Sequence, residues 1–255
     1  MPEERVVRVH LTPDRLTPTL LAGSVAVVID VLRATTTIVH ALAAGCVAVW
    51  PVAEVEEARR LADGLRAGRV LLGGERGGVP LAGFDMGNSP GEYTCARCKG
   101  TTLVLTTTNG TRALLRAAPA VRTLIAGFVN YSAVCEQLAE EERPIDIVCA
   151  GYHGEAALDD ALLAGALVEH LCEHQAVALN DAARLAWDCF EHHGRVLDGA
   201  LEISAGGVHL RGLGYDDDIR TAARVDQFAL VPEMRRDPLR VEIGAVGIVK
   251  SHWLQ

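Results

Sequence analysis

Short apolar runs alternate along the chain with longer segments in which apolar residues recur every three or four positions. Runs rich in Val, Ile and Leu are typical of buried strands, and the wider spacing is typical of helices with one apolar face. The strands predicted in this way cover residues 25–29, 46–50, 70–72, 102–106, 121–126, 145–150 and 241–249. The predicted helices cover residues 36–44, 54–65, 109–117, 132–142, 158–175 and 180–193. Strands that alternate with helices predict a three-layer α/β/α fold with a mainly parallel or mixed sheet.

Two parts of the chain depart from this alternation. Residues 73–91 predict a long glycine-rich loop, and such loops in compact domains are usually functional or disordered. The polar side chains within it, among them Glu75 and Asp85, favour a functional loop. The chain after residue 193 predicts less regular structure. No Pro-rich or Ser-rich linker divides the sequence, so we expect one domain over residues 1–255.

Composition narrows the class of protein. The chain has 255 residues and a formal net charge of −9, and its only lysines are Lys99 and Lys250. A nucleic-acid-binding surface needs a basic face, so we expect no nucleic-acid partner. The N-terminus has no basic segment followed by an apolar core, and no apolar run approaches the ~20 residues of a membrane helix. We therefore expect a cytoplasmic protein without a membrane partner. A homodimer is the assembly that we consider, although the sequence does not determine the oligomeric state.

The cysteines give little support to a structural or metal-binding role. Seven cysteines at irregular spacing argue against a disulfide framework. Cys95-Ala96-Arg97-Cys98 is a single C-x-x-C, and a zinc site would need a second pair at a defined spacing. We therefore favour ordinary thiols over redox or metal chemistry.

The first polar motif follows the strand predicted at residues 25–29 and reads Asp30-Val31-Leu32-Arg33-Ala34-Thr35-Thr36-Thr37. A carboxylate between a strand and a helix either binds a hard divalent cation such as Mg²⁺ or caps the helix, and position alone does not separate the two. Arg33 favours the cation, because an arginine beside a metal-binding carboxylate is typical of a phosphate site. The other interpretation of Arg33 is a surface salt bridge.

The second polar motif is Gly73-Gly74-Glu75-Arg76-Gly77-Gly78, after the strand predicted at residues 70–72. Glycines on both sides permit positive φ and a close approach of the backbone to a ligand. We therefore favour ligand binding by Glu75 and Arg76 over a mobile surface turn. Further oxygen ligands and hydrogen-bond donors in the same loop come from Asp85, Asn88 and Ser89.

The third polar motif is Thr106-Thr107-Thr108-Asn109-Gly110-Thr111, between a predicted strand and a predicted helix. A helix N-terminus attracts phosphate or sulfonate through its unpaired N–H groups and its dipole. Ordinary capping by Thr or Asn explains the same residues equally well. Asp159 and Asp160 begin a later helix, where acids complement the dipole. Asp218 belongs to an acidic run that could bind a cation but is more typical of a solvated turn.

Several well-known catalytic motifs are missing from the sequence. It contains no G-x-x-x-x-G-K-[ST], no G-x-G-x-x-G after a strand, and no G-x-S-x-G between a predicted strand and a predicted helix. P-loop, dinucleotide-binding and nucleophile-elbow enzymes are therefore excluded. Phosphate chemistry in this chain would most simply be metal-assisted.

Taken together, the three motifs resemble those of the 2-phosphosulfolactate phosphatase family. The resemblance runs from about Asp30 to Pro232. It also includes Gly83-Phe84-Asp85-Met86-Gly87-Asn88-Ser89-Pro90, Leu158-Asp159-Asp160-Ala161, Ala164-Gly165, Asp218-Ile219 and Val231-Pro232. The family pattern usually has Glu where Asp159 stands. The resemblance implies an Mg²⁺-dependent hydrolase that converts (R)-2-phospho-3-sulfolactate to (R)-3-sulfolactate and phosphate, a step toward coenzyme M.

The resemblance and the residue chemistry together suggest roles for these side chains. Asp30, with Glu75 or Asp85, is expected to bind Mg²⁺. A water held by the metal is the expected nucleophile, with covalent attack by Asp30 as the alternative. The expected catalytic residues are Asp30, Arg33, Glu75 and Arg76, the two arginines holding the phosphate and acid groups. The residues expected to complete the substrate-binding cradle are Thr108, Asn109, Gly110, Thr111, Asn88 and Ser89.

Two other functions compete with this hypothesis. One is an Mg²⁺-dependent phosphatase for a different small anionic phosphoester, and the other is a non-catalytic anion-binding protein on the same fold. Several carboxylates beside arginines count against the second, because carboxylates repel an anion unless a metal intervenes. If Arg33 belongs to the site, Arg33→Ala should cut turnover severely without unfolding the protein.

Overall fold

The computed structural model describes residues 4–65, 68–174 and 176–244. Its strands are β1 (Arg5–His10), β2 (Val25–Ile29), β3 (Ala48–Pro51), β4 (Arg69–Arg76), β5 (Val79–Pro80), β6 (Thr101–Thr106), β7 (Arg122–Ala126), β8 (Ile145–Cys149), β9 (Val177–Leu179), β10 (Pro232–Arg236) and β11 (Leu239–Ile243). Its α-helices are α1 (Ala34–Ala43), α2 (Val55–Gly64), α3 (Cys95–Cys98), α4 (Gly110–Ala117), α5 (Tyr131–Ala139), α6 (Leu158–His174), α7 (Asp181–His193), α8 (Leu197–Ile203), α9 (Ala205–Gly212) and α10 (Asp216–Ala222). Short 3₁₀ turns occupy Pro90–Glu92, Phe128–Asn130 and Gly194–Val196.

The sheet is mixed and consists of two parallel groups of strands. One group has the order β4-β6-β3 and the other has the order β7-β2-β8-β1-β9. The antiparallel hairpin β10–β11 lies between the two groups and pairs with β7 and β3. Helices on both sides complete a three-layer α/β/α fold, which confirms the predicted fold class.

Helices α1 and α4 connect the two groups of strands. Ile38 of α1 and Leu114 of α4 share one core cluster with Val28 of β2 and Leu103 of β6. Helix α2 packs on the other face of the β4-β6-β3 group, and α5, α6 and α7 pack on the other face of the second group. Because α1 follows β2 and α4 follows β6, this packing brings the ends of those two strands together.

Most of the predicted elements are confirmed, but the prediction for residues 73–91 is wrong at its start. Strand β4 continues through Arg76, because Gly73 and Gly74 pair with Leu105 and Thr106 of β6. The short strand β5 then pairs back on β4. The later part of the segment is loop with one 3₁₀ turn.

The prediction of a less regular C-terminal part is also wrong. This part contains α8, α9, α10 and the β10–β11 hairpin, and β11 starts two residues before the predicted 241–249 strand. Residues 245–249 and Gln175, to which predicted elements extended, lie outside the described residues. Strand β1 was not predicted, because Arg8 and His10 alternate with its buried Val7 and Val9, and the buried position before them is occupied by Arg5.

No helix in the described part of the chain is both long enough and apolar enough to cross a membrane.

Candidate active site

Asp30 is the first residue after β2, and its carboxylate is held at the start of α1. Oδ1 accepts a hydrogen bond from the Ala34 N–H at 3.0 Å, and the backbone carbonyl accepts one from Thr35 Oγ1 at 2.8 Å. Gly110, the first residue of α4, packs directly against the carboxylate. A Cβ at position 110 would lie 2.5 Å from Asp30 Oδ2 and 2.3 Å from the Ala34 Cβ, so only glycine permits this approach.

Glu75 comes from the end of β4 and is fixed by three hydrogen bonds. Its oxygens accept the Thr108 N–H at 2.7 Å, the Thr108 hydroxyl at 3.1 Å and the Gly78 N–H at 2.7 Å. The side chain is buried. Glu75 therefore joins the loop after β6 to the turn after β4, and its carboxylate is oriented before any ligand arrives.

Arg33 is buried, with 3% of its surface exposed. Nη1 donates to Asp218 Oδ2 at 2.6 Å and to Ser89 Oγ at 3.3 Å, and Nη2 donates to the Gly78 carbonyl at 2.8 Å. The guanidinium also lies over the Tyr215 ring, 4.5 Å from its centroid. The alternative of a surface salt bridge is wrong, because both partners of this ion pair are buried.

Asp30, Arg33 and Glu75 line one narrow cavity of about 50 Å³. Asn88 and Asn109 also line it, and the Oδ1 of Asn88 is buried without a hydrogen-bond partner. Three segments that are distant in sequence thus contribute polar side chains to one cavity at the carboxyl ends of parallel strands. That is the edge at which ligands usually bind in open α/β sheets.

Another buried carboxylate, that of Asp159, lies behind the residues that line the cavity. Asp159 is buried, its Oδ1 has no hydrogen-bond partner, and burial raises its pKa to about 6. Burial also raises the pKa of Asp30 to about 7, and the negative charges of Asp159 and Glu75 add to this increase. The Ala34 N–H and Arg33 act in the opposite direction. These buried carboxylates repel one another when they are charged, and a bound cation would relieve that repulsion.

Asp160 has a different environment from Asp159. Its two oxygens accept the Val31 N–H at 2.9 Å and the Gly151 N–H at 3.0 Å. Burial raises its pKa well above the ordinary value. Asp160 therefore anchors the loops after β2 and β8, and so supports the wall of the site.

Comparison with known proteins agrees with the geometry. A family model described as 2-phosphosulpholactate phosphatase matches residues 10–237. A relative from Symbiobacterium thermophilum is 44% identical over 213 residues, which are 83% of this chain and 91% of the relative. A relative from Clostridium perfringens strain SM101 is 36% identical over 244 residues, 93% of this chain and 97% of the relative. Both are named "Probable 2-phosphosulfolactate phosphatase".

The chain belongs to the 2-phosphosulfolactate phosphatase family. The family is named for the hydrolysis of a phosphoric monoester, so this chain is assigned to the phosphoric monoester hydrolases. The family match spans all three polar motifs and the C-terminal helices that complete the cavity.

The oxygens of the site fit a hard divalent cation. No group of three or more His, Cys, Asp or Glu side chains within the described residues is placed to hold a metal by itself. Mg²⁺ does not require one, since it usually keeps several waters and is held by one or two carboxylates together with substrate phosphates. Asp30 and Glu75 are the carboxylates on the cavity wall, and the unpartnered oxygens of Asp159 and Asn88 lie at or behind it. These residues of the phosphatase-family chain are the ones that could hold the ion.

Two of the residues predicted to be catalytic or to bind the metal lie away from this cavity. Asp85 is exposed, and its Oδ2 accepts the Leu72 N–H at 2.8 Å, so it ties the loop to β4. Arg76 donates to the Ala53 carbonyl at 2.7 Å and to Thr106 Oγ1 at 2.9 Å, and it lines a second cavity. Successive residues of a strand point to opposite sides, which separates Arg76 from Glu75.

The remaining predicted residues divide between the cavity and its supports. Thr108 and Asn109 line the cavity, and their role in substrate binding stays a prediction. Thr111 instead exchanges hydrogen bonds with Thr107, its hydroxyl donating to the Thr107 carbonyl at 2.9 Å. For Thr111 the structure therefore shows the capping alternative. Ser89 donates to Asp218 Oδ2 at 2.7 Å and so supports the partner of Arg33.

Sequence reasoning missed the wall of the cavity that α9 and the loop after β8 provide. Tyr152, His153 and His209 line it, and His209 Nε2 lies 3.0 Å from the Gly77 carbonyl. One signal was available in the run Ser204-Ala205-Gly206-Gly207. Ser204 caps α9 by accepting the Gly207 N–H at 2.9 Å. A Cβ at position 207 would lie 2.0 Å from the Leu201 carbonyl oxygen, so glycine there lets α9 follow α8 closely.

Proposed function

We propose that this chain hydrolyses (R)-2-phospho-3-sulfolactate to (R)-3-sulfolactate and phosphate, with Mg²⁺ as its cofactor. The observation that carries the proposal is the convergence of buried Asp30, Arg33 and Glu75 on one cavity. The names of the relatives support this substrate. We extend the proposal to the biological role that the sequence resemblance implied, a step of coenzyme M biosynthesis.

The charges around the cavity support a requirement for a cation. The substrate carries a phosphate, a carboxylate and a sulfonate, whereas the cavity wall carries Asp30 and Glu75. Arg33 is the arginine of this wall, and it is already paired with Asp218. An anion entering such a cavity would meet net repulsion, which a divalent cation between the carboxylates and the phosphate would reverse.

The reaction requires a water oxygen to bond to phosphorus while the bond from phosphorus to the lactate oxygen breaks. Mg²⁺ held by Asp30 and Glu75 would supply charge neutralisation for the phosphoryl oxygens. Arg33 keeps N–H groups at the cavity and orients the phosphoryl group. Asn109 and the Thr108 hydroxyl position the same group from the β6 side. Asp30 is placed to take the proton that the water loses, and the departing lactate oxygen gains one.

Release of phosphate from a panel of small phosphate esters, with and without EDTA, tests the proposal. We expect 2-phospho-3-sulfolactate to give the highest kcat/KM, EDTA to abolish turnover, and added Mg²⁺ to restore it. If the phosphate ester of another small acid gave a higher kcat/KM, that ester would be assigned as the substrate instead. Turnover that persists in EDTA would contradict the assignment of Mg²⁺ as the cofactor. Tight binding of 2-phospho-3-sulfolactate without phosphate release, in the presence of Mg²⁺, would identify an anion-binding protein instead.

A further inference from the structure

A second cavity lies beside the first and has a different chemical character. It has a volume of about 400 Å³, against about 50 Å³ for the first. Three arginines line it, Arg76 from the end of β4 and Arg112 and Arg116 from α4. Glu54 is the acidic residue of its lining. We call this space the arginine cavity.

The arginines are placed to bind a ligand rather than to neutralise acids of the protein. Arg76 uses three of its N–H groups on the Glu75 carbonyl, the Ala53 carbonyl and Thr106 Oγ1. Within the part of the chain that the structure describes, its guanidinium is therefore held without a carboxylate partner. Arg116 is exposed and has no ion-pair partner among the described residues. Arg112 forms an ion pair with Asp14. A guanidinium has five N–H donors, so this pair leaves other N–H groups of Arg112 for a ligand.

The concentration of positive charge is local. The whole chain has a formal net charge of −9, yet the arginine cavity combines three guanidinium groups with one carboxylate in its lining. Counting Asp14 as a partner of Arg112 still leaves an excess of one positive charge. The helix N-terminus contributes little, because Thr107 and Thr111 already satisfy each other there.

We propose that the arginine cavity is a second anion site, which binds a small molecule with two or more acidic groups. Arg112 and Arg116 are one helical turn apart, so their side chains begin about 6 Å from each other. Arg76 faces the same space from β4. Acidic groups separated by a few bonds can therefore contact two guanidiniums at once, whereas a single small oxyanion would leave most of the volume unfilled.

The two sites share a wall but not their charged residues. Thr108 lines both cavities, while Glu75 lines the first and Arg76 lines the second. The proposal goes beyond the phosphatase activity, because it concerns a different space and different side chains. It holds whether or not the first cavity is catalytic.

Calorimetric titration of the chain with pyrophosphate in EDTA tests the proposal without turnover. We expect one binding site in the wild-type chain. The double variant Arg112→Ala/Arg116→Ala should weaken binding by at least about tenfold, because it removes two charge-assisted sets of hydrogen bonds. The control Arg69→Ala/Arg184→Ala removes the same charge from exposed positions outside the lining and should change binding by less than about twofold.

Each other result would overturn the proposal. If the wild-type chain did not bind pyrophosphate, the proposed anion site would not exist. If the double variant bound pyrophosphate as tightly as the wild type, the binding site would lie outside the arginine cavity. An equal loss of pyrophosphate affinity in the control variant would show that the affinity depends on net charge and not on the arginine cavity. Arg116→Glu alone provides a second test that leaves the Arg112–Asp14 pair intact, and it should weaken binding in the same direction.

Discussion

The two cavities stand side by side and have opposite chemistry. The first is narrow and lined by Asp30 and Glu75, both buried; the second is wider and lined by arginines, of which Arg112 and Arg116 are exposed. Glu75 and Arg76 are neighbours in one motif, yet each belongs to a different cavity. The difference shows that neighbouring residues at a strand end need not serve one site, since consecutive side chains leave the strand in opposite directions.

The cavities also differ in how their charged residues affect the free energy of unfolding of the protein without ligands. Buried carboxylates that repel each other disfavour the folded state when they are charged, and a cation compensates for them. Exposed arginines remain hydrated and cost little without a ligand. The first cavity should therefore couple ligand binding to stability, whereas the second should bind or release its ligand with little effect on the fold.

The largest expected effect is a loss of catalytic activity when the first cavity is changed, with no change in anion binding at the second. Asp30→Asn should lower kcat on 2-phospho-3-sulfolactate by about 10³-fold, because it removes a cation ligand and proton acceptor at the reacting atoms. Pyrophosphate binding in EDTA should be unchanged in the same variant. Steady-state kinetics and calorimetry measure the two quantities. A kcat within about tenfold of the wild type would remove Asp30 from the chemistry.

The next effect concerns the stability of the first cavity. Arg33→Ala should lower turnover and also reduce the free energy of unfolding by about 3–5 kcal/mol, because it leaves the buried Asp218 carboxylate unpaired. This revises the sequence-based expectation that the variant would keep its fold unchanged. Urea unfolding and phosphate release provide the two measurements.

A second substitution distinguishes the structural role of Arg33 from its catalytic role. Arg33→Ala/Asp218→Asn removes both charges of the pair and should regain most of the lost stability, while turnover stays low. If the double variant recovered turnover as well, Arg33 would be a structural residue alone.

A smaller effect is the dependence of stability on pH in the metal-free protein. The pKa of Asp30 is raised to about 7 and that of Asp159 to about 6, mainly by burial. The folded state therefore binds more protons than the unfolded state between about pH 4 and 7, and stability falls as pH rises through that window. The expected loss is of the order of a few kcal/mol.

Chemical unfolding in EDTA from pH 5 to pH 8 measures this loss. Asp30→Asn should flatten the profile, and Mg²⁺ should raise the stability at pH 8. The Arg112→Ala/Arg116→Ala variant should retain the wild-type profile, because its arginines are not among the charges that shift the pKa of Asp30 or Asp159. A stability that increases over this range would contradict the assignment of buried, repelling carboxylates to the first cavity.

Several features of the site could be predicted from short stretches of sequence. Asp30 and Thr108 follow apolar strands, and the ends of parallel strands meet at one edge of a sheet. Gly110 was predicted as part of the cradle, and the structure gives it a related reason, contact with the Asp30 carboxylate. The roles of these residues in substrate and metal binding stay predictions until the experiments above are done.

Other features depended on contacts between distant segments. Asp85 and Thr111 have the chemistry of site residues, but their oxygens are occupied by the Leu72 N–H and by Thr107. Asp218 lies 185 positions from Arg33 in the chain and forms its ion pair. No local pattern around either residue indicates that pairing.

The sequence by itself determined the alternation of strands and helices, the fold class and the polar residues at the strand ends. These features depend on hydrophobic periodicity and backbone propensity, which act over a few residues. Tertiary structure alone decided that Glu75 and Arg76 face different cavities, that Arg33 is buried against Asp218, and that α9 completes the first cavity. The packing of α1 and α4 between two groups of strands sets these distances, and packing depends on the whole chain at once.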